Sequence, residues 1–211
     1  LLCAPIDDLT LEGTPVVIAD LHSALPAILA GARATRGAHD QVRAVYVMTD
    51  GGALPLAYSR TVAALRRVGW LAGTVTSGQA WGGDVEAVSV HNALLAARHV
   101  LGADLVVLAQ GPGNLGTDTP WGFSGVACGD AVKAVLGGRA IACLRVSQAD
   151  ARERHRGISH HSMTAYGRVA LTAADIVVPG LPGALGEQID AQARELCGPR
   201  PRGARHHRVD T

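Results

Sequence analysis

Asp104-Leu105-Val106-Val107-Leu108-Ala109-Gln110, followed at once by Gly111-Pro112-Gly113-Asn114-Leu115-Gly116-Thr117, is the stretch whose reading decides the fold. A run that is apolar at successive positions, and not only at alternate ones, belongs to a strand covered on both faces, as in a parallel sheet. The switch to glycine and proline ends the strand and opens a loop before the next helix.

The same grammar repeats outward in both directions. Pro15–Asp20, Val42–Thr49, Leu71–Thr76, Arg139–Val146 and Asp175–Pro179 read as further strands. Helices are expected from Ser23 to about Arg33, Ser59 to Val68, and Asp84 (as cap) to about Leu101. Further ones are expected from Pro120 to Leu136, Ser159 to about Leu171, and Gly186 to Leu196. Alternating strands and helices give right-handed crossovers and a parallel sheet between helical layers. The expected fold is α/β, a three-layer doubly wound (Rossmann-like), mostly parallel sheet of about six strands. With 211 residues, the chain is short for a closed barrel of eight units, which takes about 250. Residues 15–197 read as a single α/β domain, 1–14 as a linker-like segment, and 198–211, rich in Pro, Arg and His, as a mobile tail.

Composition removes several function classes. A formal net charge of +1 creates no field that would recruit nucleic acid or an anionic membrane. Aromatic content of 3% is too low for a base-stacking platform. No apolar run approaches the ~20 residues of a membrane span. Cys3, Cys128, Cys143 and Cys197 are too scattered for a zinc framework or a secreted disulfide scaffold, so a cytoplasmic location is expected. Cys143, in an apolar run, reads as a small buried thiol. The opening lacks a basic n-region and an initiator Met, which reads as a fragment or processed chain.

In open parallel sheets ligands sit beyond the carboxyl ends of the strands, where loops and helix N-termini converge. Those ends carry the chemistry here: Asp20, His22 and Ser23; Asp50-Gly51-Gly52; Ser77 to Asp84; Gln110 to Thr117; then Arg145 and Arg152 to His161. The opposite ends are plain, as in Gly13-Thr14, Gly102-Ala103, Gly137-Gly138 and Ala173-Ala174. Gly111, Gly113 and Gly116 match a dinucleotide-binding turn in spacing. Pro112 inside it, the delayed helix start at Thr119-Pro120, and Arg145 where an acid would hold a ribose all argue against NAD. A loop that presents backbone N–H groups to an anion stands beside the plainer reading of a tight turn.

Asp20, His22, Asp50, Asp84, His155, His160 and His161 form an acidic and imidazole-bearing set. Such groups move protons or hold a divalent metal, with His22, Asp20, Asp50 and Asp84 as the metal candidates. Each has a structural alternative: Asp84 as a helix cap, Asp50 as a turn residue, Ser159 capping the helix of His160. Arg152, Arg154, His155 and Arg156 read either as a solvated turn or as a clamp on an anion. His91 and Asn92, read as mid-helix between Val88 and Leu95, are expected to pack in the core or at an interface between copies. Trp81 and Trp121 read as lid walls or loop anchors.

The segments ADLHSALPA (19–27), YVMTDGGALP (46–55), GQAWGGDVEAV (78–88), AQGPGNLGT (109–117), WGFSGV (121–126) and RERHRGISHHSMTAYGRV (152–169) together resemble DUF3866, an uncharacterised, mainly actinobacterial family. The resemblance spans about Pro15 to Pro179. It implies a further N-terminal, β-rich region in the full-length protein, with this chain as the C-terminal domain alone and contacts between the two. It carries over no catalytic residues.

The expected function is an enzyme, a hydrolase or transferase, acting on a small phosphate- or carboxylate-bearing metabolite. Gly111, Gly113, Asn114, Gly116, Thr117, Gln79, Arg154, Arg156 and His161 would bind it. His160 or His155 would move the proton, with Asp20 and Asp50 orienting it or holding a metal. A nucleotide- or metabolite-sensing module, or a structural domain that assembles with copies of itself, are the alternatives.

Overall fold

A computed structural model describes residues 9–35, 42–52 and 54–211. Short β-branched runs form the strands β1 (Pro15–Ile18), β2 (Ala44–Thr49), β3 (Gly73–Ser77), β4 (Val85–Ala87), β5 (Leu105–Gln110), β6 (Arg139–Ala142), β9 (Asp175–Val178) and β10 (His207–Asp210). Among the described residues they form one eight-stranded sheet in the order β10-β9-β6-β1-β5-β2-β3-β4. Every pairing is parallel. A separate antiparallel pair joins β7 (Val146–Ser147) to β8 (Gly157–Ile158).

The helices are α1 (Leu25–Ala34), α2 (Arg60–Arg67), α3 (Val90–His99), α4 (Ala127–Ala131), α5 (His160–Thr164) and α6 (Gly183–Leu196). Alternate strand residues sort them to two faces. Val16, Ile18, Val106 and Leu108 pack with residues of α3, α4 and α6. Tyr46, Met48, Val107 and Ala109 pack with Leu25 and Leu29 of α1 and Val62 and Leu65 of α2. The fold is therefore a three-layer α/β sandwich, with eight strands where about six were expected.

Two of the differences share a cause. Asp84 does not cap a helix: its carboxylate accepts from the Thr74 backbone N–H (2.9 Å), the Thr74 hydroxyl and the Arg66 guanidinium (2.9 Å). The chain after it forms β4, and Ser89 caps α3 instead, accepting from Asn92 N–H. At the far edge, the segment read as a mobile tail supplies β10, held to β9 by a parallel ladder from His207↔Asp175 to Asp210↔Val178. Both edge strands are short and part-exposed, so burial leaves no apolar signature on them. The helix expected from Pro120 shrinks to α4 between two 3-10 turns. Thr117 and Thr119 bond each other's hydroxyls (2.8 Å), and Gly122 N–H donates to Thr119, so this stretch closes as a loop. Leu11, inside the segment read as a linker, is fully buried against the core.

The connection from β1 passes over β5 to reach β2, whereas that from β5 passes over β1 to reach β6, on the opposite face. The loops after these two neighbours diverge, opening a crevice at their carboxyl ends.

Candidate functional site

The crevice is pinned by Gln110, the last residue of β5. Its amide donates to the Asp20 carbonyl (2.9 Å) and to Asn114 Oδ1 (3.0 Å), tying the two diverging loops together. Ser124 Oγ also donates to Asn114 Oδ1 (2.8 Å). Gly125 lies so close to Asp20 that a Cβ there would stand 2.8 Å from the Asp20 carbonyl oxygen. That close approach fixes Asp20 with its carboxylate turned inward, 3% exposed. Its Oδ2 has no hydrogen-bond partner and lies 3.7 Å from His161 Nδ1.

The β7–β8 pair brings a second loop to the same place. Ser159, just after β8, caps α5 by accepting from His161 N–H, and its hydroxyl lies 2.7 Å from His155 Nδ1. Capping puts His160 and His161 in the first turn, beside His155. The three rings lie with centroids 4.5 to 4.9 Å apart. Phe123 stacks on His161 at 3.9 Å with the planes 3° apart. His160 Nε2 and His161 Nδ1 are buried without partners. Burial, then the neighbouring Arg145 and Arg152 charges, push His155 down to about 4. His160 is lowered too, by burial and then by His161 and Arg154. These two imidazoles are neutral at pH 7, free to accept a proton or donate a lone pair.

Leu21, Asn114, Gly116, Thr117, Asp118, Arg145, Arg152, Arg154, His155 and His161 line a cavity of about 520 Å³. Behind it, Asp150 accepts from Arg145 (3.3 Å) and Arg152 (3.1 Å), fixing both guanidiniums. The bond to Arg152 holds the Asp150 carboxyl well below the usual carboxylate range. Arg154 bonds Asp118 (2.6 Å), whose side chain is 91% exposed at the mouth. A second cavity of about 520 Å³, on the other side of the imidazoles, is lined by His160, Arg154, Arg168 and Arg200 among others. A smaller one of about 240 Å³ is lined by Asp20, Asp50, His91 and Gln110.

Of the residues singled out from sequence, Asp20, Asp50, Asn114, Gly116, Thr117, Arg154, His155, His160 and His161 gather around these cavities, Asp50 only at the smallest. Others stand apart. Gln79 is outside the arginine-lined cavity, its N–H donating to Asp50 Oδ2 (3.1 Å). Arg156 turns away, donating to the Asp150 carbonyl (3.0 Å). Gly111 packs against Met48, and Gly113 serves the turn with φ +96°. His22 bonds Tyr46 Oη (3.0 Å) and Ser59 Oγ (2.7 Å), one through each ring nitrogen. Asp84 is committed to Thr74 and Arg66. The proposed metal set of His22, Asp20, Asp50 and Asp84 is thus dispersed. His91 is exposed in the first turn of α3, so it does not pack in the core. Cys143 is only half-buried.

Arg152 stands in the basic loop read as a possible clamp, but Arg145, Phe123 and Gln110 have no site role in the sequence reading. Arg145 carried a signal, since it lies at a strand end just before that loop. Phe123 and Gln110 carried none, because an aromatic in a loop and an amide closing a strand are common in any fold.

Fold and crevice define a three-layer α/β protein whose polar loops gather at the carboxyl edge of a parallel sheet. The chain belongs to DUF3866, a protein family of unknown function, whose family model matches residues 5–210. Searches of curated proteins and of solved structures found no match. Among the described residues, no helix is long and apolar enough to cross a membrane.

Proposed function

We propose that this protein is a cytoplasmic enzyme, of the hydrolase or transferase kind, acting on a small phosphate- or carboxylate-bearing metabolite held beyond β1 and β5. The observation that carries the reading is one cavity with three guanidiniums, Arg145, Arg152 and Arg154, and two imidazoles, His155 and His161. Guanidinium forks match the oxygens of phosphate and carboxylate, and Asp150 holds two of them in place before any ligand arrives. A volume of about 520 Å³ suits a metabolite and excludes a macromolecule. Asp118 occupies Arg154 from an exposed position. Such a pair is worth at most about 1 kcal/mol, so an incoming anion displaces it at little cost. The imidazoles stand beside the anion, where general acid–base chemistry needs them. Cys128, Cys143 and Cys197 have free thiols, which fits a reducing compartment.

The test is a thermal-shift series with inorganic phosphate, pyrophosphate, nucleoside monophosphates and dicarboxylates, followed by turnover assays on whichever binds. Binding of at least one anion, weakened tenfold or more in Arg152→Gln, is expected. An unshifted midpoint across the series overturns the reading. Binding without turnover would favour the sensing module.

A further inference from the structure

We infer that His155, His160 and His161, with Asp20 beside them, form a binding site for one divalent transition-metal ion of the zinc or iron class. One ring nitrogen from each histidine lies within 4.8 Å of the others. Ligands at the zinc–nitrogen distance of about 2.05 Å around a tetrahedral ion stand roughly 3.3 Å apart. Reaching that spacing takes a contraction of up to about 1.5 Å between the nitrogens.

The independent sign of a missing partner is the set of orphaned atoms. His160 Nε2, His161 Nδ1 and Asp20 Oδ2 are all buried without a hydrogen bond. Asp20 is 3% exposed and His161 7%, so water does not satisfy them from outside. A buried polar atom left unpaired costs about 1–3 kcal/mol, and a fold that keeps three together bears a cost a shared cation would remove. The mutually close ligand atoms are those of the three histidines alone, and Asp20 stands at their edge, 3.7 Å from His161 and beyond hydrogen-bond length.

The surroundings are those of a metal site. Metal-bound histidines are oriented by partners on the other nitrogen or on the ring face. Here Ser159 Oγ bonds His155 Nδ1 (2.7 Å), which leaves Nε2 to ligate, and Phe123 stacks on His161. Ser159 also caps α5, so the helix start that brings His160 and His161 to the cluster is locked to His155. Three imidazoles and a carboxylate suit zinc or ferrous iron and disfavour magnesium or calcium, which take all-oxygen shells. His155 and His161 line the arginine cavity while His160 lines the one behind it, so the ion has an entry path. An ion here would border the proposed anion and would take up the imidazole lone pairs, so that His155 and His161 would then act as its ligands and not as acid–base groups; its binding does not depend on the anion reading.

The test uses the full chain without a histidine tag, stripped with chelator and titrated with Zn²⁺ and Co²⁺, with Mg²⁺ as control. Expected are about one Zn²⁺ per chain at micromolar or tighter affinity, a raised thermal midpoint, and visible absorption typical of Co²⁺ in a nitrogen-rich shell. His160→Gln, at a half-buried position, should weaken binding at least tenfold while leaving the circular dichroism spectrum intact. Asp20→Asn should weaken it less. Failure of the parent chain to bind either ion overturns the inference. So does binding that survives His160→Gln and His161→Gln but is lost in His207→Gln, which would place the ion at the C-terminal strand. Zinc binding without any phosphate response would sink only the anion reading, and the converse only this one.

Discussion

Two histidine-centred networks sit at the same edge of the sheet, and they are built on opposite terms. Around His22 every bond is made. Tyr46 Oη donates to the Gln110 carbonyl (2.8 Å), so it accepts from His22 Nδ1–H. Ser59 Oγ accepts from Val62 N–H (2.9 Å) and donates its proton to His22 Nε2. The chain of bonds fixes one neutral tautomer, and burial lowers the His22 pKa in the same direction. Around His155, His160 and His161 the bonds are left open, with two ring nitrogens and a carboxylate oxygen unpartnered. A satisfied network stabilises and specifies a fold, whereas an unsatisfied one is kept at a cost to stability. Saturation, more than burial or residue type, separates the structural histidine from the candidate functional ones.

Breaking the closed network should have the largest effect. His22→Ala strands the Tyr46 and Ser59 hydroxyls and leaves a cavity, so a loss of roughly 3–5 kcal/mol in urea unfolding is expected. A loss under about 1 kcal/mol would dissolve the contrast. At the open network the balance reverses. His160→Gln should change stability by no more than about 1 kcal/mol, because it removes a group that had no partner, while metal binding weakens at least tenfold.

Acid offers a third test. His22 has a folded pKa below the unfolded value of about 6.5, so on acidification the unfolded chain takes up its proton first. Its contribution is therefore intact above about pH 6.5 and declines as pH falls toward the lowered folded value. The slope of unfolding free energy against pH should be positive there, and shallower in His22→Gln. Equal slopes would show that His22 carries no such linkage. The smallest effect belongs to the rim: Asp118→Asn should alter stability by under about 0.5 kcal/mol, yet tighten phosphate binding a few-fold by freeing Arg154. Weaker phosphate binding in that variant would make Asp118 part of the anion site.

Much of the fold was legible because buried parallel strands must be apolar along their whole length. β2 and β5 are buried at nearly every position, and their sequence runs show it. β4 and β10 were not legible. Val85-Glu86-Ala87 is equally compatible with a helical turn, and only the pairing with β3 and the capture of Asp84 by Thr74 make it a strand. His207–Asp210 has no apolar period at all; β9 and the ion pairs of Arg208 with Asp190 and Asp210 hold it.

The site divides the same way. His155, His160 and His161 are near neighbours in sequence, and Ser159 between the first and the other two is a readable cap, so their clustering could be anticipated. That Asp20 joins them from β1, while Asp50 and Asp84 do not, could not be.

Composition and periodicity alone determined the buried central strands, the layers and the edge where polar groups collect, since these follow from local burial and chain direction. Tertiary structure decided which polar groups are saturated and which stay open. A hydrogen bond depends on a few tenths of an ångström between segments a hundred residues apart, and no local pattern encodes that distance.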